Sequence, residues 1–138
     1  MSVITLHGRK INGGYAEGEA MVTRQSLGGY GAFDIHTGVG LEPDHDFYER
    51  SLTGKILVFK SAKGSSSWST WHQVLRYTGA APKAYVVQHS NSQTALASIV
   101  LRVPGVTDLD QDPTSVISDG DWVEVDADRG VVRITKKD

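Results

Sequence analysis

At 138 residues the chain is long enough to bury a core without disulfides or structural metals, and short enough to form one domain, residues 1–138. Its 14 Lys and Arg against 16 Asp and Glu leave a net charge of −2, which removes the basic excess needed to hold a nucleic-acid backbone or an anionic membrane. Cysteine is absent, so disulfides, a thiol nucleophile, a Cys-based zinc site and an iron–sulfur cluster ligated by this chain are all excluded.

In chain order, Ser2 to Leu6 predicts a first strand, with no signal-peptide h-region at the N-terminus. Gly13-Gly14 predicts a turn, and the partial alternation of Tyr15 to Val22 a second strand. Residues 28–50 are rich in Gly, Asp and His without periodicity, the signature of a long loop. Tyr30, Phe33, Phe47 and Tyr48 within it predict an ordered loop packed on its surroundings. His36, Asp44, His45 and Asp46 could approach one another there, but the five histidines show no metal-binding spacing, and the expectation is a solvated polar loop with no metal ligand.

Lys55 to Phe59 is a continuous apolar run, the pattern of a strand buried on both faces. Lys63-Gly64-Ser65-Ser66-Ser67 follows, and then a helix is predicted from near Ser69 to Thr78, with Trp71, Val74, Leu75 and Tyr77 near one face and Gly79 as its stop. Ala84 to Gln88 predicts another strand. A second helix capped by Asn91 or Ser92 carries Ala95, Leu96, Ile99 and Val100 and ends before Pro104. Trp122–Asp126 and Val131–Thr135 predict a C-terminal hairpin around Ala127-Asp128-Arg129-Gly130. Early strands, short βα units and a final hairpin make a mixed α/β, β-rich class. No apolar run approaches the ~20 residues of a membrane span, which predicts a cytoplasmic chain without a membrane partner.

Chemistry concentrates at the strand-to-helix junction. Gly64 allows close backbone approach, consecutive hydroxyls can cap a helix, and helix-start N–H groups can hold a carboxylate or phosphate. Ser65 is therefore open to two readings: a capping or anion-binding hydroxyl, or a base whose alkoxide needs positive charge, for which Lys63 and the helix start are the local candidates. There is no G-x-S-x-G elbow and no Walker loop. Trp68 and Trp71 fit core packing better than a ligand pocket, Arg102 an exposed helix-end cation, and Asp108, Asp110 and Asp112, lacking a later bidentate glutamate, solvated loop carboxylates rather than calcium ligands.

Gly28-Gly-Tyr-Gly-Ala-Phe-Asp-Ile-His-Thr-Gly38, Asp44-His45, Ser51 to Phe59, Lys63 to Ser67, Ala81-Pro-Lys-Ala84 and Ser118-Asp-Gly-Asp-Trp-Val-Glu-Val125, in this order, resemble the aconitase X swivel-domain family over nearly the whole chain. The family includes small subunits of hydro-lyases such as cis-3-hydroxy-L-proline dehydratase and phosphomevalonate dehydratase. The resemblance implies a swivelling β/β/α fold, a separate large subunit carrying an iron or iron–sulfur centre, and a small hydroxy-acid substrate. It implies that Ser65 is the proton-abstracting base, that Gly64 and Ser66 contact substrate, and that Asp34, Thr37 and Gly38 lie at the subunit interface or active site; Lys63, the local cation, joins Gly64 and Ser66 as an expected substrate-binding residue. Aconitases follow the two serines with a carboxylate-binding arginine; Ser67 and Trp68 stand here, so carboxylate recognition is expected elsewhere, on the large subunit. Without an evident extra phosphate clamp in this chain, cis-3-hydroxy-L-proline is the expected substrate and phosphomevalonate the alternative. A non-catalytic module that binds small anions or serves assembly is the remaining reading.

Overall fold

The computed structural model describes residues 2–65 and 67–138. The strands are β1 (Val3–His7), β2 (Arg9–Asn12), β3 (Tyr15–Val22), β4 (Ile56–Phe59), β5 (Ala84–Val87), β6 (Gly105–Thr107), β7 (Trp122–Asp126) and β8 (Val131–Thr135). The helices are α1 (Trp68–Thr78), α2 (Ser92–Leu101) and the single turn α3 (Pro113–Val116). Strand order is β1-β8-β7-β3-β4-β5-β6-β2. One part is antiparallel, with β1 on β8, β8 on β7 and β7 on the first half of β3. The second half of β3 pairs in parallel with β4, followed by β5 and β6, with β2 antiparallel at the edge.

These two β layers and a helical layer form a swivelling β/β/α fold, and alternation along the central strands explains why. In β4, Ile56 and Val58 point toward the antiparallel layer, packing with Val123, Val125, Val132 and Ile134. Leu57 and Phe59 point the other way, into a second core with Trp68, Leu75, Ala97 and Leu101 of the helices. All four β4 residues are buried, as the apolar run predicts.

The structure corrects several expectations. The first strand is followed by a separate β2, because Gly8 turns the chain from one layer to the other: its N–H donates to the Gly130 carbonyl at 2.7 Å, and a Cβ there would meet the Thr107 carbonyl at 2.5 Å. Strand β6 and turn α3 were not foreseen; three residues and one turn are too short for a periodic signal.

The buried face of α1 is Trp68, His72 and Leu75, whereas Tyr77 is 74 % exposed and Trp71 and Val74 are half-buried. His72 occupies the core because hydrogen bonds satisfy its ring. On α2 the buried residues are Thr94, Ala97, Ser98 and Leu101, while Leu96 and Ile99 are exposed. Small residues face inward there because the backbone beneath is close: a Cβ on Gly105 would lie 2.6 Å from Ser98 Oγ.

The helix ends follow local chemistry. Gly79 closes α1 in the left-handed region (φ 79°), and Asn91 caps α2 in a capping box with Thr94. The loop over 28–50 is ordered around buried Phe33 and Phe47, while Tyr30 and Tyr48 remain exposed.

Candidate functional site

Parallel strands β3 and β4 run side by side, and their pairing continues past their ends: Leu27 N–H donates to the Ser61 carbonyl (2.8 Å) and Lys63 N–H to the Leu27 carbonyl (3.0 Å). Gly28 to Gly31 and Lys63 to Ser65 are thereby brought face to face beyond the carboxyl ends of the strands, where α/β sheets place ligands. Between them opens a cleft of about 360 Å³, completed by Glu42 and Trp68. Its glycine wall is sterically required: a Cβ on Gly29 would stand 2.9 Å from Trp68 Cα.

Ser65 lies on this cleft and is exposed. Its Oγ shares a 2.6 Å hydrogen bond with Ser67 Oγ and accepts one from Ser67 N–H at 3.3 Å. The Ser65 carbonyl accepts from Trp68 N–H at 3.1 Å, tying the loop to the first turn of α1. Ser67 is the N-terminal flanking residue of α1, but its side chain does not cap the helix. The hydroxyls of Ser65 and Ser67 thus bond to each other, and Ser67 makes no side-chain cap, contrary to the expectation that the consecutive hydroxyls cap the helix. Gly64 holds φ 105°, a conformation that side chains strain to adopt, and so turns Ser65 toward the cleft. Lys63 lies on the cleft with its Nζ 3.5 Å from Glu42 Oε2. Ser66 lies outside the described residues.

Asp34, Thr37 and Gly38 form a separate turn. Asp34 Oδ1 accepts from the N–H groups of His36 (2.8 Å) and Thr37 (3.0 Å), which hold its carboxyl below the usual range. Gly38 sits at φ 73°, and the Thr37 carbonyl accepts from Ser51 Oγ at 2.8 Å. None of these three residues lines the cleft.

Behind the cleft lies a buried polar network that spacing in the sequence did not reveal. The His72 ring stacks on Trp68 with centroids 3.5 Å apart. Gly28 offers only a carbonyl, so His72 Nε2–H donates there (3.4 Å) and Nδ1 accepts from the Tyr85 hydroxyl (2.6 Å). Burial pushes the His72 pKa down to about 3, and the Gly28 contact opposes this only in part. Burial also raises Tyr85 well above the ordinary phenol. Trp68 is both a core residue and a cleft wall, its indole N–H donating to the Leu27 carbonyl at 2.8 Å. The signal available was a His four residues after a Trp on one helix, the i,i+4 spacing of side chains that touch.

His45 also departs from the solvated-loop expectation. It is buried, its Nδ1 accepting from Phe47 N–H and its Nε2–H donating to the Ser26 carbonyl, both at 3.0 Å. Both ring nitrogens are occupied, and Asp46 is engaged by Thr23 Oγ1 at 2.7 Å. Arg102 is an exposed C-terminal flank of α2, and Asp108 pairs with Arg9 at 2.8 Å. Among the described residues no group of three His, Asp or Glu side chains is arranged to hold a metal, and no helix is long and apolar enough to cross a membrane.

The family model for the aconitase X swivel domain matches residues 5–134. The chain belongs to the aconitase X swivel-domain family. It is 40 % identical over 129 residues to the phosphomevalonate dehydratase small subunit of Thermococcus sibiricus, covering 94 % of this chain and 97 % of that one. It is 35 % identical over 136 residues to the protein of the same name from Methanosarcina acetivorans, covering 99 % and 94 %. The crystal structure of holo aconitase X from Thermococcus kodakaraensis superposes with a TM-score of 0.90 at 38 % identity, covering 96 % of this chain and 99 % of that chain. As an aconitase X swivel domain, this chain is the small subunit of a hydro-lyase. The relatives favour the phosphomevalonate alternative and lend no support to the expected hydroxyproline substrate.

Proposed function

We propose that this chain is the small subunit of a phosphomevalonate dehydratase and that Ser65 is its proton-abstracting base. The observation that carries the reading is the convergence of Ser65 and Lys63 on one cleft whose opposite wall is glycine backbone. The names of the relatives support the substrate. Loss of the Ser65 proton leaves an alkoxide that this site can stabilise. Ser67 Oγ–H and Ser67 N–H can both donate to that oxygen, the positive end of α1 follows directly in the chain, and Lys63 lines the same cleft. Ser65 Oγ takes a proton from the carbon next to the substrate carboxylate. That C–H electron pair becomes the carbon–carbon double bond as hydroxide leaves the neighbouring carbon, and transfer of the proton from Ser65 Oγ to the hydroxide gives the water lost and restores the alkoxide.

The side chains present do not fit an iron or iron–sulfur centre: the chain has no cysteine, and the described residues hold no metal-binding cluster. We assign that centre to the large subunit, where it would serve as a Lewis acid toward the leaving oxygen. Carboxylate recognition is assigned there too, since Ser67 and Trp68 stand where aconitases carry an arginine. Lys63, Gly64 and Ser66 contact the substrate, and the Asp34–Thr37–Gly38 turn, outside the cleft, faces the large subunit.

The test is the assembled enzyme. With the large subunit present, Ser65→Ala should lower kcat for phosphomevalonate dehydration by about 10²–10⁴-fold while subunit assembly by size-exclusion chromatography stays intact. Undiminished turnover in an assembled Ser65→Ala enzyme removes Ser65 from the base role. Turnover of cis-3-hydroxy-L-proline but not of phosphomevalonate overturns the substrate assignment.

A further inference from the structure

The cleft contains a carboxylate that the elimination has no use for. Glu42 comes from the middle of the long loop, far in sequence from Lys63, yet the two meet at 3.5 Å. They meet over Gly28: a Cβ there would lie 3.1 Å from Glu42 Oε1 and 3.7 Å from Lys63 Cε. The missing side chain at position 28 is the space into which the carboxylate reaches. An anionic substrate entering this cleft encounters a like charge in Glu42, and its only cationic lining residue among the described residues is Lys63, already paired.

We propose that Glu42 is a specificity-determining residue that holds the Lys63 ammonium in the empty cleft, and that an anionic substrate group binds by displacing it. The inference rests on the anion-binding role proposed above for Lys63. The pair is suited to exchange rather than to permanent structure: the Lys63 and Glu42 side chains are 51 % and 37 % exposed, and ion pairs at such exposure are weak enough to open. A phosphate brings at least as much charge as Glu42 and more acceptor oxygens, so it replaces the pair without leaving Lys63 uncompensated. A neutral ligand gains nothing from the exchange, and the cleft discriminates against it.

The test uses the complete two-subunit enzyme, with inorganic phosphate as competitive inhibitor and phosphomevalonate as substrate. Glu42→Gln should lower the phosphate inhibition constant by about two- to fivefold and lower KM, because the competing carboxylate is gone. Lys63→Met should raise both. In the double variant the gain from Glu42→Gln should vanish, since it acts only through Lys63. If Lys63→Met leaves phosphate inhibition unchanged, the anion-binding reading of the cleft fails, and the displacement with it. If Lys63→Met weakens inhibition while Glu42→Gln leaves it unchanged or weakens it, the displacement alone fails and Glu42 merely orients Lys63. A loss confined to kcat in Glu42→Gln, with KM and phosphate inhibition unchanged, likewise overturns it.

Discussion

His72 remains neutral in the fold because its burial is complete and both ring nitrogens already have neutral partners. Protonation would place an N–H against the Tyr85 hydroxyl in a core with no counter-ion at the ring. The unfolded chain takes up this proton near the ordinary histidine value of ~6.5, the folded chain only near about 3. Between those values the unfolded state binds the extra proton, so stability falls as pH falls. Urea unfolding should therefore show a loss of about 1.6 kcal/mol from pH 6.5 to 5 that is absent in His72→Gln, whose baseline is lower. Asp34, Asp112 and Asp121, with pKa values held below the ordinary carboxylate, lose their contributions at lower pH and do not blur this window. Equal losses in both proteins would show that His72 is not the titrating group.

The elements carry function by the way they are tied together. Asn91 caps α2 through its Oδ1, which accepts from Thr94 N–H at 3.1 Å, while its Nδ2 donates to Ser61 Oγ (3.2 Å) and the Ala62 carbonyl (3.0 Å). One side chain thus starts a helix and holds the strand-end segment leading directly into Lys63 and Ser65. Asn91→Ala should cost about 1–2 kcal/mol in chemical denaturation, from the lost cap and the unpaired Ala62 carbonyl. Asn91→Asp keeps the acceptor and loses the donors, so its loss should be smaller; an equal loss would place all the energy in the tie. The inward faces of α1 and α2 were misread for a related reason. Helical period identifies a set of apolar positions, but His72 and Ser98 are buried because of what lies opposite them, Tyr85 and Gly105.

The molecule as a whole is two β layers made continuous by single residues and closed by a polar clamp. Asp121, 1 % exposed, accepts from Lys136 Nζ (2.5 Å) and from the N–H groups of Ser118 and Lys137, both 2.8 Å. Burial by itself raises its pKa, but Lys136 and the two amides outweigh that and hold the carboxyl below its ordinary value. The clamp fixes the residues after β8 to the turn before β7. Lys136→Met strands a buried carboxylate and should destabilise the protein by about 3 kcal/mol in equilibrium unfolding. Adding Asp121→Asn should recover part of that loss, and a double variant weaker than the single one would contradict the charge argument.

The local code made the central strands, the Gly79 stop, the Asn91 cap and the C-terminal hairpin legible, because apolar runs, αL glycines and capping side chains act over a few residues. It also made the Lys63–Ser65 junction stand out, and the ordered motifs around it were sufficient to reach the family. The partnership of Lys63 with Glu42 across Gly28, the mutual bonding of Ser65 and Ser67, the corner at Gly8 and the burial of His72 were decided only in three dimensions. The first, third and fourth depend on atoms distant in sequence or on a backbone approach no periodicity encodes, and the Ser65–Ser67 bond on the local backbone conformation that turns both hydroxyls toward each other. Residue types set which chemistry this chain can hold, and the parallel pairing of β3 with β4 sets which of those groups share a cleft.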